Sequence, residues 1–187
     1  MTRRFDKVDL PLEQVRRVLE PGPIVLLSSS HAGERNVMTM GWHTVMEFSP
    51  SLVGCVIASS NHSFELVRRS RECVINVPTA ALVDAAVGIG TSSGSEVDKF
   101  ERYGLSVEDG FDTPAPVIRE CYANFVCRLH DDCLVEKYNF FIWEVVAARV
   151  ARSPKHPETL HYTGAGEFRV AGKVISRKTK GMLAKEP

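Results

Sequence analysis

The chain has little that would mark it as a metal, redox-thiol or export protein. Its five cysteines, at positions 55, 73, 121, 127 and 133, form no C-x-x-C pair. Zinc ribbons and thioredoxin-like dithiols are therefore not indicated, and an odd, scattered set is no disulfide framework. Six histidines include no H-x-x-x-H or H-E-x-x-H pair, so no metal site is expected. No apolar run approaches the roughly 18 residues of a membrane span, and no apolar stretch follows the basic start Met1-Thr2-Arg3-Arg4. Location in the cytoplasm is the expectation. Charge of one sign is also missing: Lys+Arg and Asp+Glu both number 23, which leaves no net field for nucleic acid or an anionic membrane. Gly88-Ile89-Gly90 is followed by Thr91-Ser92-Ser93, with helical spacing before it, and so fails as a dinucleotide fingerprint. There is no internal repeat, no low-complexity segment, and no cysteine with an identifiable activating base.

What is there is an ordinary globular composition, 44% hydrophobic and 25% charged, at a length that buries a core of its own without staples. One domain over residues 1–187 is expected, with a core of about 20–172. Leu12, Val15, Val18 and Leu19 have helical spacing behind Asp9 and Pro11, which predicts an N-terminal helix over 10–19. Strands are expected at 24–29, 36–48, 52–58, 73–77, 117–130 and 138–150, with two short ones after 160. Helices are expected at 63–69, near 82–87 and at 96–103, with Gly88 to Gly94 as a loop between the last two. A mainly β chain with a few short helices between strands points to a Greek-key barrel with helical crossovers.

Three segments stand out. Asn36-Val37-Met38-Thr39-Met40-Gly41-Trp42 is too polar and irregular for a core strand. Its backbone groups around Met38 and Thr39, the Asn36 amide and the Trp42 ring suit the edge and face of a flat heteroaromatic system. Ser59-Ser60-Asn61-His62-Ser63 opens a helix, and hydroxyls beside first-turn N–H groups suit an anion. Lys99 on a later helical segment supplies a cation. Taken singly, each has a plainer reading: an N-cap, an exposed lysine, a strand with one buried tryptophan. Together they match a ligand with a phosphate at one end and an aromatic slab at the other, as flavin mononucleotide (FMN) has.

Order and spacing carry a resemblance. The first segment, then Ser60-Asn61-His62-Ser63-Phe64, then Ser93-Gly94-Ser95-Glu96-Val97-Asp98-Lys99-Phe100, then Phe141-Ile142-Trp143-Glu144-Val145-Val146-Ala147-Ala148 resemble the flavoredoxin branch of the flavin reductase-like family over residues 20–172. The resemblance implies an FMN-binding split β-barrel acting as a homodimer, with each flavin near the subunit interface. It implies flavin-ring or ribityl contacts from Asn36, Thr39 and Trp42, beside the Met38 backbone already singled out. It implies phosphate contacts from Ser63 and Lys99, with Ser59 and Asn61 beside them and Ser92 and Ser93 from the loop before Lys99. Where many relatives carry a histidine ahead of the late strand, this chain has Tyr138, which stacks or hydrogen-bonds but takes up no proton near neutral pH. A Gly-Arg-Asp-His-like motif of the short flavin reductases is missing too.

The expected function is that of a flavin reductase or flavoredoxin-type oxidoreductase. Electrons would pass from a reduced donor, NADH or NADPH, through FMN to flavin, ferric or protein acceptors. The alternatives are an FMN-binding electron-carrier module without turnover, and a split-barrel relative with another ligand, such as a pyridoxine phosphate oxidase. No catalytic residue is assigned.

Overall fold

The computed structural model describes residues 5–15, 22–164 and 166–175. The strands are β1 (Lys7–Asp9), β2 (Val25–His31), β3 (Glu34–Met40), β4 (His43–Glu47), β5 (Leu52–Val56), β6 (Glu72–Val77), β7 (Ala123–Asp131), β8 (Phe140–Ala151), β9 (Leu160–Gly164) and β10 (Glu167–Val170). The helices are α1 (His62–Ser70), α2 (Val83–Thr91) and two single turns, α3 (Lys99–Arg102) and α4 (Val135–Tyr138). None is long and apolar enough to cross a membrane.

One sheet runs β3-β2-β6-β7-β8-β5-β4, all antiparallel, with β1 added on β8; β9 and β10 form a separate hairpin. β3 and β4 lie at opposite ends of that order, yet only Gly41 and Trp42 separate them. Three Cα steps span at most about 11 Å. The sheet must therefore curl until its two ends meet, which makes a barrel split along the seam at Gly41-Trp42. Trp42 O accepts from Val56 N at 3.0 Å, and His43 Nε2 donates to Pro23 O at 2.7 Å. The first continues the β4–β5 ladder by one residue, and the second ties β4 across the seam to Pro23, just ahead of β2.

Strand alternation fixes which side chains fill the barrel. Val25 and Leu27 of β2 and Met40 of β3 face inward, in one cluster with Cys55, Cys73, Ile75, Phe125, Cys127, Phe141 and Trp143. Phe141 and Trp143 stack at 5.6 Å. α1 closes one barrel end by sending Phe64 and Val67 into this cluster, Phe64 edge-on to Phe141 at 5.4 Å. Ile24, Leu26 and Val37 face outward and form a second cluster with Leu82, Ala86 and Ile89 around α2 and with Phe100 of α3. α2 is thereby pressed onto the outer face of β3.

The split barrel and its short helices are as the sequence led one to expect; several boundaries are not. The long strand over 36–48 is two strands, because the barrel seam falls in its middle. The loop over Gly88 to Gly94 is in part the end of α2, which continues through both glycines to Thr91. Those glycines serve close approach rather than flexibility: a Cβ at Gly88 would run into the Tyr103 ring, and one at Gly90 would sit 3.3 Å from Thr39 Cβ. The helix expected over 96–103 is only the turn Lys99–Arg102, capped by Asp98. The strand expected from 117 starts at Ala123, and a turn of helix, α4, precedes β8. At the N-terminus, Leu12–Gln14 is a 3-10 turn behind Pro11 and Asp9 belongs to β1, so Asp9 is no helix cap; residues 16–19 of the expected 10–19 helix lie outside the described residues.

Candidate functional site

The β2–β3 hairpin turns on Ala32 and Gly33, both with positive φ (52° and 84°). This is the requirement of the two-residue turn that matches strand twist. In such a hairpin the flanking pair exchanges backbone hydrogen bonds, and so does every second pair after it. His31↔Glu34, Ser29↔Asn36, Leu27↔Met38 and Val25↔Met40 are those pairs. Arg35, Val37 and Thr39 accordingly turn their N–H and C=O groups away from β2. No described strand pairs with that side of β3. One position on this edge is already used: Val37 O accepts from Lys99 Nζ at 3.1 Å. Beyond it, toward Thr39 and Gly41, the edge opens into a cleft.

That cleft has a volume of about 370 Å³ and is floored by Thr39, Gly41 and Trp42. Its walls come from α2, through Ala86, Val87, Gly90 and Thr91, and from the β9–β10 hairpin, through Tyr162 and Phe168. The two hairpin rings lie 5.1 Å apart, tilted by 51°. None of the lining residues is charged. The Thr39 hydroxyl donates to Ala86 O at 2.6 Å and the Thr91 hydroxyl to Val87 O at 3.0 Å, so the side-chain hydroxyls of the floor and α2 wall are already engaged. Trp42 is 74% exposed and Tyr138 55%. Both flank the end of β5, since Val56 N bonds Trp42 O and Ile57 N bonds Asn139 O.

At the other end of β3 sits a buried polar knot. Asn36 Nδ2 donates to Ser63 Oγ at 2.9 Å, and Ser29 Oγ stands 3.5 Å from the same oxygen. All three residues are buried. Asn36 Oδ1 is buried and has no hydrogen-bond partner, and a Cβ at Gly94 would run into it. Because Asn36 and Thr39 are three apart on a strand, their side chains lie on opposite faces. Met38 is half-buried and packs against the barrel interior, and its backbone groups, expected at a ligand's edge, are turned to Leu27 of β2 instead.

Ser59, Ser60 and Asn61 are exposed and border a groove of about 470 Å³ with His31, His62 and Arg69 at the start of α1. Asn61 occupies the N-cap position without a side-chain cap bond, which leaves first-turn N–H groups facing that groove. His62 pairs with Glu34 at 2.7 Å. Ser63, one position into the helix, is turned inward to Asn36 instead.

The remaining candidates gather at the C-terminal end of α2. Ser92 Oγ donates to Gly88 O at 2.8 Å, and Tyr103 OH donates to Ser92 Oγ at 3.1 Å. Lys99 Nζ donates to Ile89 O at 2.9 Å as well as to Val37 O. The lysine is 5% exposed, and burial pulls its ammonium below the ordinary lysine range. Ser93 pairs with Ser95 at 2.7 Å on the surface. The structure thus brings Thr39 and Trp42 together in the cleft, Asn36 and Ser63 in the knot, and Ser92 and Lys99 at the helix end. Ser59 and Asn61 stand at the groove, and Tyr138 stands on the rim beyond Trp42. Tyr162 and Phe168 were missed in the sequence reading. Nothing in a short hairpin some 120 residues downstream signals that it faces this strand. The Ala86 and Gly90 spacing, four apart on α2, was the one legible hint of a close approach.

The fold is thus a split antiparallel barrel with an uncharged cleft at the free edge of one strand. The chain belongs to the flavin reductase like domain family, whose model matches residues 16–170. It is 31% identical over 183 residues to the uncharacterized protein YddH of Escherichia coli (strain K12), spanning 90% of this chain and 97% of that protein. In structure it resembles an FMN-binding domain of a flavin reductases-like enzyme from Shewanella baltica OS155, with a TM-score of 0.86 at 24% identity over 94% of this chain and 100% of the other. It also resembles the flavoredoxin of Desulfovibrio vulgaris (Miyazaki F), with a TM-score of 0.77 at 19% identity over 86% and 92%.

Proposed function

We propose that this protein binds FMN along the free edge of β3 and acts as an oxidoreductase of the flavin reductase or flavoredoxin type. The observation that carries the reading is the uncharged cleft at Thr39, Gly41 and Trp42, floored by a strand edge whose N–H and C=O groups face it. Alternating backbone donors and acceptors match the pyrimidine edge of an isoalloxazine, and the apolar walls match its xylene end. Asn36, whose side chain lies on the opposite face of β3 and bonds Ser63 inside the barrel, is not part of this fit. The phosphate end would face the exposed Ser59 to Asn61 segment and the first turn of α1.

Bound FMN supplies one- and two-electron transfer. The chain's own part is positional. The β3 edge orients the ring, Trp42 and the Tyr162 and Phe168 rings exclude water from its faces, and the Thr39 hydroxyl, already donating to Ala86 O, keeps α2 at the cleft wall. Electrons would enter from a reduced donor, NADH or NADPH first among them, and leave to flavin, ferric or protein acceptors. One observation favours a second reading, a flavin-bound electron carrier without turnover by nicotinamides: among the described residues, no cationic side chain lines the cleft to hold a dinucleotide's diphosphate. The protein is further proposed to work as a homodimer in the cytoplasm, its contact formed by the exposed outer face near Met46.

The test is a visible absorption spectrum of the purified protein, followed by anaerobic NADH and then NADPH. A flavin spectrum bleached by one nucleotide is the expected result. A flavin spectrum unmoved by either selects the carrier reading. Absence of flavin after incubation with excess FMN overturns both.

A further inference from the structure

The ammonium of Lys99 is the buried cation nearest the proposed flavin strand, and its surroundings are those of a helix end rather than of an anion site. α2 stops at Thr91, so its last carbonyls have no intrahelical partners. Side chains satisfy them one by one. Gly88 O takes the Ser92 hydroxyl at 2.8 Å, and Ile89 O takes Lys99 Nζ at 2.9 Å. A helix C-terminus is the negative end of the backbone dipole and attracts a cation; by the same sign it repels a phosphate. The second bond of Lys99 goes to Val37 O at 3.1 Å, on the outward edge of β3. Lys99 therefore joins α2 to that edge directly before it opens into the cleft. Asp98 fixes the lysine's own helix from outside, capping Phe100 N at 2.8 Å while pairing with Arg35 of β3 at 2.9 Å. To reach a phosphate the ammonium would have to leave two buried acceptors unsatisfied.

We infer that Lys99 is a positioning residue of the flavin site: it ties the end of α2 to the free edge of β3 and thereby sets where that edge meets the ring, and it does not neutralise the phosphate. The inference rests on the FMN reading. It makes Lys99 indifferent to whether the ligand carries a phosphate, which separates it from an anchor.

Comparing FMN with riboflavin tests this. In Lys99→Met the dissociation constants of both should rise together, by about tenfold, so that their ratio stays near the wild-type ratio. The visible circular dichroism of flavin at saturation should also change, since the ring would sit against a displaced edge. A preference for FMN over riboflavin that collapses in Lys99→Met would overturn the inference, and so would unchanged affinities with an unchanged spectrum. Should Lys99→Met fail to fold, acetic anhydride labelling of the wild-type protein with peptide mapping decides the matter. The expected result is that Lys99 is already protected in the flavin-free protein. Labelling that FMN suppresses and riboflavin does not would make Lys99 a phosphate anchor. Wild-type protein that binds neither flavin removes the FMN reading itself, an outcome distinct from both.

Discussion

Asp98 shows how one side chain organises the approach to the candidate site. Its carboxylate accepts from Phe100 N at 2.8 Å and from Glu101 N at 3.3 Å, and it pairs with Arg35, whose guanidinium lies 4.7 Å over the Phe100 ring. Arg35 first, then the two backbone N–H groups, hold this carboxyl below the usual carboxylate range. A depressed carboxyl stabilises the fold above its unfolded value of about 3.9 and loses that contribution as pH falls through its lower folded value. Asp98→Ala should cost about 1 kcal/mol at neutral pH, the ordinary worth of a cap, because the ion pair is half-exposed and adds little. Denaturant titrations of both proteins at pH 7 and near pH 2.5 check this. The gap should close at the lower pH, and a gap independent of pH would mean that the carboxylate's charge is not what matters.

Among the elements, α2 carries the most consequence for its length, since one face builds the cleft wall and its end meets Lys99. Its two interior glycines lower helix propensity, yet the helix persists because packing on β3 and Tyr103 compensates. Gly88→Ala tests the packing account. Propensity alone predicts stabilisation by roughly 1 kcal/mol. The Tyr103 ring in the way of the new methyl predicts destabilisation of about 1–3 kcal/mol, and we expect the second. Thermal unfolding monitored by circular dichroism gives the sign.

On the scale of the whole molecule, the barrel leaves β4 as an end strand carrying Met46, 42% exposed, four residues along the chain from Trp42 at the seam. Met46 lies over Gly54, where a Cβ would stand 2.9 Å from its sulfur, so this patch of the outer sheet face is flat and apolar. Exposed apolar patches of this kind mark contact surfaces. Met46→Glu should shift the proposed dimer to monomer in analytical ultracentrifugation, with little change in monomer stability. Sedimentation of the unaltered protein as a monomer would dispose of the proposal.

Much of this could be read before any coordinates were known. The strand and helix periods and the block order that resembles flavoredoxins rest on local rules: alternation, turn chemistry and spacing. Local rules also picked out Asn36, Thr39, Trp42, Ser63 and Lys99 as residues of interest. They did not decide what those residues touch. That Asn36 and Ser63 bond each other inside the barrel, that Lys99 joins a helix end to a strand edge, and that Tyr162 and Phe168 face Trp42 across a cleft all depend on closure between segments far apart in the chain. The break in the long strand after Met40 has the same cause, because only the curling of the sheet brings β3 and β4 together at the seam. Short-range pattern names the elements and the chemistry they carry; which groups end up within 3 Å of one another is settled by how the sheet closes.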